Sequence, residues 1–329
     1  MTLGVDDEKG KLNGIEGTKL KQFLYNSSVM IKRKTIRILL PLYMGVICLT
    51  GCQNLMANNP GHAANSGTRV YMEDKGSDTM VNLALYWAER YQELNPEVSI
   101  SVTGGGTGTG IAALISKSAS IANASRKIEA EEVALANLNG IEPHELVVAR
   151  DAIAVIINRQ NPINQLTLQQ LSDIYSGKIE NWSQIGGENR PIVKLSRETN
   201  SGTHVYFLES VIRLGNPNDK TIFSADTLLL PSSEGIITEV RDNPNAIGYD
   251  GLGYVTEDVK TLAISEDSGK PFFLPNVETV KQNLYPIARD LYMYTNGEPT
   301  GELLNYLDWI LSFEGQQIVQ ELGFVPVNK

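Results

Sequence analysis

The segment Arg197-Glu198-Thr199-Asn200-Ser201-Gly202-Thr203 follows a short β-rich run, Ile192–Leu195, and leads into a helix-like run from Thr203 to Arg213. A turn of this composition at a helix start leaves about four backbone N–H groups without intrahelical partners. It also gathers roughly half a positive charge at the same place, which suits an anion. Glycine lets the main chain approach a ligand closely. Arg197, four residues before Ser201, carries a planar fork that matches two oxygens of an oxyanion.

The arrangement recurs twice upstream. Lys75-Gly76-Ser77-Asp78-Thr79-Met80 precedes a helix-like run from Thr79 to Leu94, with Ser77 or Asp78 available as its N-cap. Gly104-Gly105-Gly106-Thr107-Gly108-Thr109-Gly110 follows the β-rich run Val98–Val102. One such turn alone usually just caps a helix, and the glycine-rich one lacks the Lys of a nucleotide-binding P-loop. Three of them, one beside an arginine, point to a shared anion site.

Outward from these turns, strand-like and helix-like runs alternate, the pattern of an α/β protein. Ala152–Ile157 reads as a strand. Helices are expected at Leu168–Tyr175 (capped by Thr167, stopped by Gly177), Ser233–Arg241, Glu302–Leu311 and Glu314–Leu322. With 329 residues, 42% of them hydrophobic, the chain has material for about two cores. No long linker interrupts the stretch after Thr68, which fits two lobes exchanging strands.

The net charge is −10, and the first 51 residues are themselves basic, so the remainder holds 20 Lys and Arg against 34 Asp and Glu. That balance argues against a nucleic-acid partner, which needs a basic footprint. A small anion needs only a local pocket of oriented donors. The two cysteines, Cys48 and Cys52, lie in or beside one apolar run, so no disulfide framework is expected. With three histidines and no thiol partner for them, no metal site and no cofactor are expected either.

The basic cluster Lys32, Arg33, Lys34 and Arg37 precedes an apolar run from Ile38 to Leu49, which is too short to span a bilayer. The run ends in Leu49-Thr50-Gly51-Cys52, which resembles the bacterial lipobox. That resemblance implies export, lipidation of Cys52 and a membrane anchor facing the periplasm or cell exterior. Residues 1–51 are then a precursor segment, with Met30 or Met1 as the true start, and 52–67 a polar tether.

The segments GSDTM, GGGTGTGI, NASR and RETNSGT, in this order, resemble the PstS-type phosphate-binding proteins of ABC importers; Asp173–Trp182 and Ala246–Tyr249 add to the likeness. The resemblance runs from about Val70 to Val327. It implies a two-lobed periplasmic-binding-protein fold of type II with two hinge crossings, closing on inorganic phosphate without chemistry. Lobe one is expected at 68–148 and 285–329, lobe two at 149–284, with crossings near Val147–Ala152 and Leu284–Asp290. Carried over by position, the phosphate-binding residues are Asp78, Thr79, Thr107, Ser125 and Arg126 from lobe one. Arg197, Ser201, Gly202 and Thr203 come from lobe two. The resemblance also implies permease subunits as partners, and a monomer.

One position departs from the family. Some members place an Asp after the Ala-Ser pair to accept the proton of monohydrogen phosphate, whereas here Ala124-Ser125 precedes Arg126, and Asp78 stands where those members have a neutral hydroxyl. The expectation is an exchange of acceptor: Asp78 takes the phosphate proton, and Arg126 pairs with Asp78, the ligand or both. A carboxylate facing a protonated oxygen gains a charge-assisted bond, whereas sulfate, which has no proton at neutral pH, would be repelled. The alternative is that Asp78 only caps the helix after it.

Other readings are weaker. His204 sits three residues from Ser201, without the third group that orients a nucleophile's base, and no G-x-S-x-G elbow occurs. His62 and His144 fall in the tether and a turn. Glu129, Glu131 and Glu132 read as a solvated helix face, Trp87 and Trp309 as core, and Trp182 as packing near a lobe surface. A sulfate-binding protein, a phosphatase-like hydrolase and a phosphate sensor are the rival functions.

Overall fold

The computed structural model describes residues 69–327. The apolar run, Cys52 and the polar stretch after it lie outside the described residues. Among those described, no helix is long and apolar enough to cross a membrane.

The chain begins with β1 (Val70–Gly76), a 3-10 turn (Asp78–Met80), α1 (Val81–Leu94), β2 (Val98–Thr103), α2 (Thr107–Ile115), β3 (Ile121–Ala124) and α3 (Ala130–Leu138). Then come β4 (Pro143–Asn158), β5 (Gln165–Thr167), α4 (Leu168–Tyr175), β6 (Val193–Arg197) and α5 (Gly202–Phe207). β7 (Leu228–Leu230), α6 (Ser233–Asp242), β8 (Ala246–Gly251), β9 (Val259–Thr261), β10 (Ala263–Ser265) and α7 (Val277–Lys281) follow. β11 (Ala288–Asn296), α8 (Gly301–Ile310) and α9 (Phe313–Glu321) close the chain.

One curled sheet runs β2-β1-β3-β11-β4-β8-β6-β7, with β9 also paired to β4; β10 and β5 form a separate pair. β1, β2 and β3 are parallel, as are β6, β7 and β8. Between these parallel sets run β4 and β11, which are antiparallel to each other from Ala288↔Ala152 to Asn296↔Pro143. The 16-residue β4 then continues alone, pairing Ile153–Ile157 with β8. The short strand expected at Ala152–Ile157 is thus the far half of a strand roughly 50 Å long at about 3.3 Å per residue.

Apolar side chains gather on both sides of this crossing. Met80, Leu83, Trp87, Val148, Leu291 and Tyr306 belong to one core cluster, and Ile111, Ala122 and Tyr294 to a smaller one beside it. Beyond the crossing, Val155, Leu171, Tyr175, Trp182, Phe207 and Tyr249 pack together, with Leu195, Ile236 and Val240 on the other sheet face. α1 shows the cause: Leu83, Ala84, Trp87, Ala88 and Tyr91 form one buried stripe at helical spacing. Trp87 is fully buried, as its spacing predicts, whereas Trp309 is only partly covered and Trp182 belongs to the core rather than to a surface.

Local signals hold where side chains satisfy helix ends. Thr167 accepts from Gln170 N at 3.1 Å in a capping box, and Gly177 at φ +83° ends the helix. The single helix expected from Thr203 to Arg213 breaks at Leu208–Ile212 into a wider π turn. There Ser172 Oγ donates to Ile212 O at 2.6 Å, and Val211 and Ile212 both reach the core.

Asp74, in the middle of β1, is fully buried, and burial pushes its carboxyl up to about 7, only partly offset by the Asn123 side chain. A folded-state value above the unfolded one means that the native protein binds the extra proton between about pH 4 and 7. Stability contributed by protonated Asp74 is therefore present near pH 4 and lost as pH rises through 7, by a few kcal/mol. Asp74→Asn is expected to flatten the fall in chemical-denaturation stability between pH 4 and 7; an unchanged slope would place that titration elsewhere.

Candidate functional site

The three glycine turns follow β1, β2 and β6, and they meet beside the end of β3. Gly76, at φ +148°, lies so close to Asn123 O that a Cβ there would overlap it, and Ser77 N donates to that same oxygen at 2.9 Å. Gly106 N donates to Gly76 O at 2.9 Å, joining the second turn to the first. The third turn arrives from the opposite side of the crossing. Asn200 Nδ2 donates to Gly105 O at 2.9 Å and Asn200 O accepts from Gly108 N at 3.2 Å.

Inside this junction the hydroxyls collect. Thr79, Thr107, Ser125 and Thr203 are essentially inaccessible. Thr79 Oγ1 and Thr203 Oγ1 lie 2.8 Å apart although 124 positions separate them in sequence. Thr107 Oγ1 accepts from Ser125 N at 3.1 Å and lies 3.4 Å from Ser125 Oγ. Gly202 faces this pair so closely that a Cβ would overlap Thr107 Oγ1 and sit 2.6 Å from Ser125 Oγ. Ser201 stands just outside as the N-cap of α5, its Oγ accepting from Thr203 N at 3.2 Å.

Two buried arginines flank the cluster. Arg197 Nη2 donates to Asp78 Oδ2 at 2.7 Å and to Pro231 O at 2.9 Å, and Nη1 donates to Ser233 Oγ at 2.8 Å. Asp250 Oδ2 lies 3.7 Å from the same guanidinium. Asp78 Oδ1 accepts from Gly105 N at 2.8 Å, so its side chain ties two turns to Arg197 and does not cap a helix. The second arginine, Arg289 on β11, reaches Asp151 Oδ2 at 2.9 Å and the oxygens of both Thr79 and Thr203. Burial pushes the carboxyls of Asp151 and Asp250 upward, opposed by Arg289 and Arg197 respectively.

Of the residues expected from sequence, Thr79, Thr107, Ser125, Gly202 and Thr203 therefore come together, with Asp78, Arg197 and Ser201 on the rim. Arg126 does not join them, and its expected pairing with Asp78 is not formed. Its fork grips Glu132 at 2.7 and 2.8 Å, with Glu129 at 3.4 Å. Two carboxylates six and three residues away, positioned by the capping box at the start of α3, outcompete a more distant one. The acidic run is thus a cap and an arginine clamp, not merely a solvated face.

Sequence reasoning passed over Arg289, Asp151 and Asn200. The first two left a signal: each belongs to an Arg-Asp pair, Arg150-Asp151 and Arg289-Asp290, abutting a buried strand run, Ala152–Ile157 and Leu291–Tyr294. Asn200 gave none beyond its place in the turn.

The geometry assembles donors and contains no nucleophile–base pair at Ser201. His204 Nδ1 lies 3.0 Å from Ser196 Oγ, which lies 2.6 Å from the Tyr249 hydroxyl, and the imidazole stacks on Phe223 at 4.5 Å. Burial holds that imidazole below its usual range, consistent with a packed, neutral ring. Among the described residues no cluster of His, Cys, Asp and Glu has the spacing of a metal site.

A family profile described as the PBP superfamily domain matches residues 61–314. The phosphate-binding protein PstS of Pseudomonas aeruginosa is 32% identical over 285 residues, covering 82% of this chain and 86% of that one. The Bacillus subtilis phosphate-binding protein PstS is 28% identical over 303 residues, covering 91% and 96%. Among solved structures, a Clostridium perfringens phosphate ABC transporter substrate-binding protein with bound phosphate superposes with a TM-score of 0.70 at 31% identity. The match covers 78% of this chain and 100% of that one. An ABC-type phosphate transport receptor from Vibrio cholerae gives a TM-score of 0.63 at 25% identity over the same shares.

Gly202→Ala places a methyl against the Thr107 and Ser125 hydroxyls, so affinity for inorganic phosphate is expected to fall more than tenfold by calorimetric titration. Gly269→Ala, where a Cβ meets nothing within 4 Å, serves as the control and leaves affinity unchanged. Equal affinities in the two variants would remove Gly202 from the site.

Proposed function

This chain belongs to the PstS phosphate-binding proteins of the PBP superfamily, and on that premise we propose that it captures inorganic phosphate between two lobes outside the cytoplasm. It then delivers the anion to the permease subunits of an ABC importer. It is a binding protein and not an enzyme. The observation that carries the reading is the convergence of Thr79, Thr107 and Ser125 from one side of the crossing with Gly202 and Thr203 from the other, all buried. A tetrahedral anion needs donors on all sides at once, and two rigid halves that close together provide them.

In this reading the lobes divide at 149 and 285, with hinges where β4 and β11 run side by side; the core clusters on either side of that pairing support the division. Thr79, Thr107, Ser125 and Thr203 donate to phosphate oxygens, Gly202 lets the backbone approach, and Ser201 shapes the turn. Arg197 pairs with Asp78 at the rim, where the remaining lone pairs of Asp78 accept the proton of monohydrogen phosphate. Arg126 keeps at most an indirect part, through the turn after Ser125.

The protein is anchored through lipidated Cys52, which lies outside the described residues; the basic cluster, the apolar run and the tetrapeptide ending at Cys52 support this anchor. A Cys52→Ala variant is expected to move from the membrane fraction to the soluble exported fraction. Retention in the membrane would argue for a different anchor.

Sulfate is the second reading, and Asp78 bears against it. Asp78→Asn loses a hydrogen bond to a charged group, about 1.5–3 kcal/mol, so phosphate affinity is expected to drop roughly tenfold to hundredfold while competition by sulfate increases. If both affinities stay at wild-type values, Asp78 plays no part in selectivity.

A further inference from the structure

Arg289 and Asp151 are direct register partners on β11 and β4. Their side chains are 2% and 0% exposed. Arg289 Nε and Nη2 both reach Asp151 Oδ2, at 3.2 and 2.9 Å, while Asp151 Oδ1 accepts from Leu252 N at 3.1 Å. Nη1 donates to Ser125 O at 3.0 Å. Nη2 also donates to Thr203 Oγ1 at 3.0 Å and Thr79 Oγ1 at 3.3 Å. One guanidinium group, carried by the crossing itself, therefore touches the first turn, the third turn and the residue after β3.

A hydroxyl has one proton to give. When its oxygen accepts from a group that can only donate, that proton is directed elsewhere. A guanidinium has no acceptor and keeps its charge at any ordinary pH, so it cannot reverse these bonds. Arg197 is differently engaged: its N–H groups go to Asp78, Pro231, Ser233 and Leu230. Thr79 Oγ1 and Thr203 Oγ1 lie 2.8 Å apart, so one gives its proton to the other until a ligand arrives; we propose that Arg289, donating to both oxygens, is the positioning residue that leaves both protons to be aimed at the bound anion, and that Asp151 beneath it moderates the attraction so that the anion can leave.

This inference rests on the phosphate-binding reading and adds to it a residue pair and a sign. Asp151 contributes orientation through its oxygens and repulsion through its charge. Asn at position 151 keeps an acceptor oxygen in place and removes the charge. Gln at position 289 removes the cation and can both donate and accept, so the threonine protons lose their fixed direction.

The test is phosphate titration of the full chain at neutral pH, with melting curves taken in parallel. Arg289→Gln is expected to weaken phosphate binding more than tenfold, and Asp151→Asn to tighten it severalfold, although both variants break the same ion pair and both melt earlier. A purely structural staple would move the two affinities in the same direction, and that result overturns the proposal. Should Arg289→Gln not fold, the sign for Asp151→Asn decides alone: weaker binding rejects the pair. Wild-type protein that takes up no phosphate in the same titration rejects the functional reading itself, an outcome distinct from the other two.

Discussion

Strands β4 and β11 run antiparallel for the whole of β11, and everything else in the structure is arranged around that pairing. Because β4 is 16 residues long, its first part can pair with β11 and its last part with β8 and β9 of the same curled sheet. The parallel strands on each side, β1 to β3 and β6 to β8, then point their carboxyl ends and following turns at the junction. A ligand site at the ends of parallel strands, where the sheet changes partners, is the usual outcome of such topology. Here the pairing also carries the site's own charge, since Asp151 and Arg289 occupy facing positions within it. If the halves close as proposed, the change in angle has to be absorbed near these residues, which couples closure to charge placement through the backbone.

Close approach of main chain to main chain is the second constraint. The turn after β1 abuts Asn123, and Gly202 abuts Thr107 and Ser125. Neither contact tolerates a Cβ, so the glycine positions are dictated by how near three turns must come for their donors to reach one small ligand. Asn200 closes the same junction with backbone-like bonds in both directions to the glycine-rich loop.

Much of the fold was legible because its signals are local. The capping box at Thr167, the stop at Gly177 and the stripe through Trp87 each depend on residues within a few positions. The hydroxyl cluster was legible as well, since Gly, Ser and Thr before a helix mark its start wherever it ends up in space. What could not be read was partnership across long separations. Arg126 and Asp78 carry opposite charge, and nothing in sequence tells that Glu132 intervenes for one and Arg197 for the other. Arg289 and Asp151 lie 138 positions apart, and each has a nearer opposite charge in sequence, Asp290 and Arg150, that hides the partner it takes in the fold. The π turn inside the expected Thr203–Arg213 helix was equally illegible, and the Ile212 carbonyl at its end is met by a hydroxyl 40 positions away.

The partnerships share one electrostatic consequence. Each of the three arginines near the site already has a carboxylate: Arg197 has Asp78, Arg289 has Asp151 and Arg126 has Glu132. An unpaired buried guanidinium would be costly to fold around and would hold a divalent anion too firmly to release. Pairing leaves the hydroxyl cluster without a large excess of charge, so under the proposed reading an anion meets chiefly oriented dipoles, the hydroxyls of Thr79, Thr107, Ser125 and Thr203. Such dipoles lose strength steeply with distance and direction, which makes binding depend on closure of the halves more than on attraction from afar. That dependence also reconciles a site for an anion with a chain whose net charge is −10: long-range repulsion is screened within about 10 Å at ordinary salt, whereas the donors act only at contact.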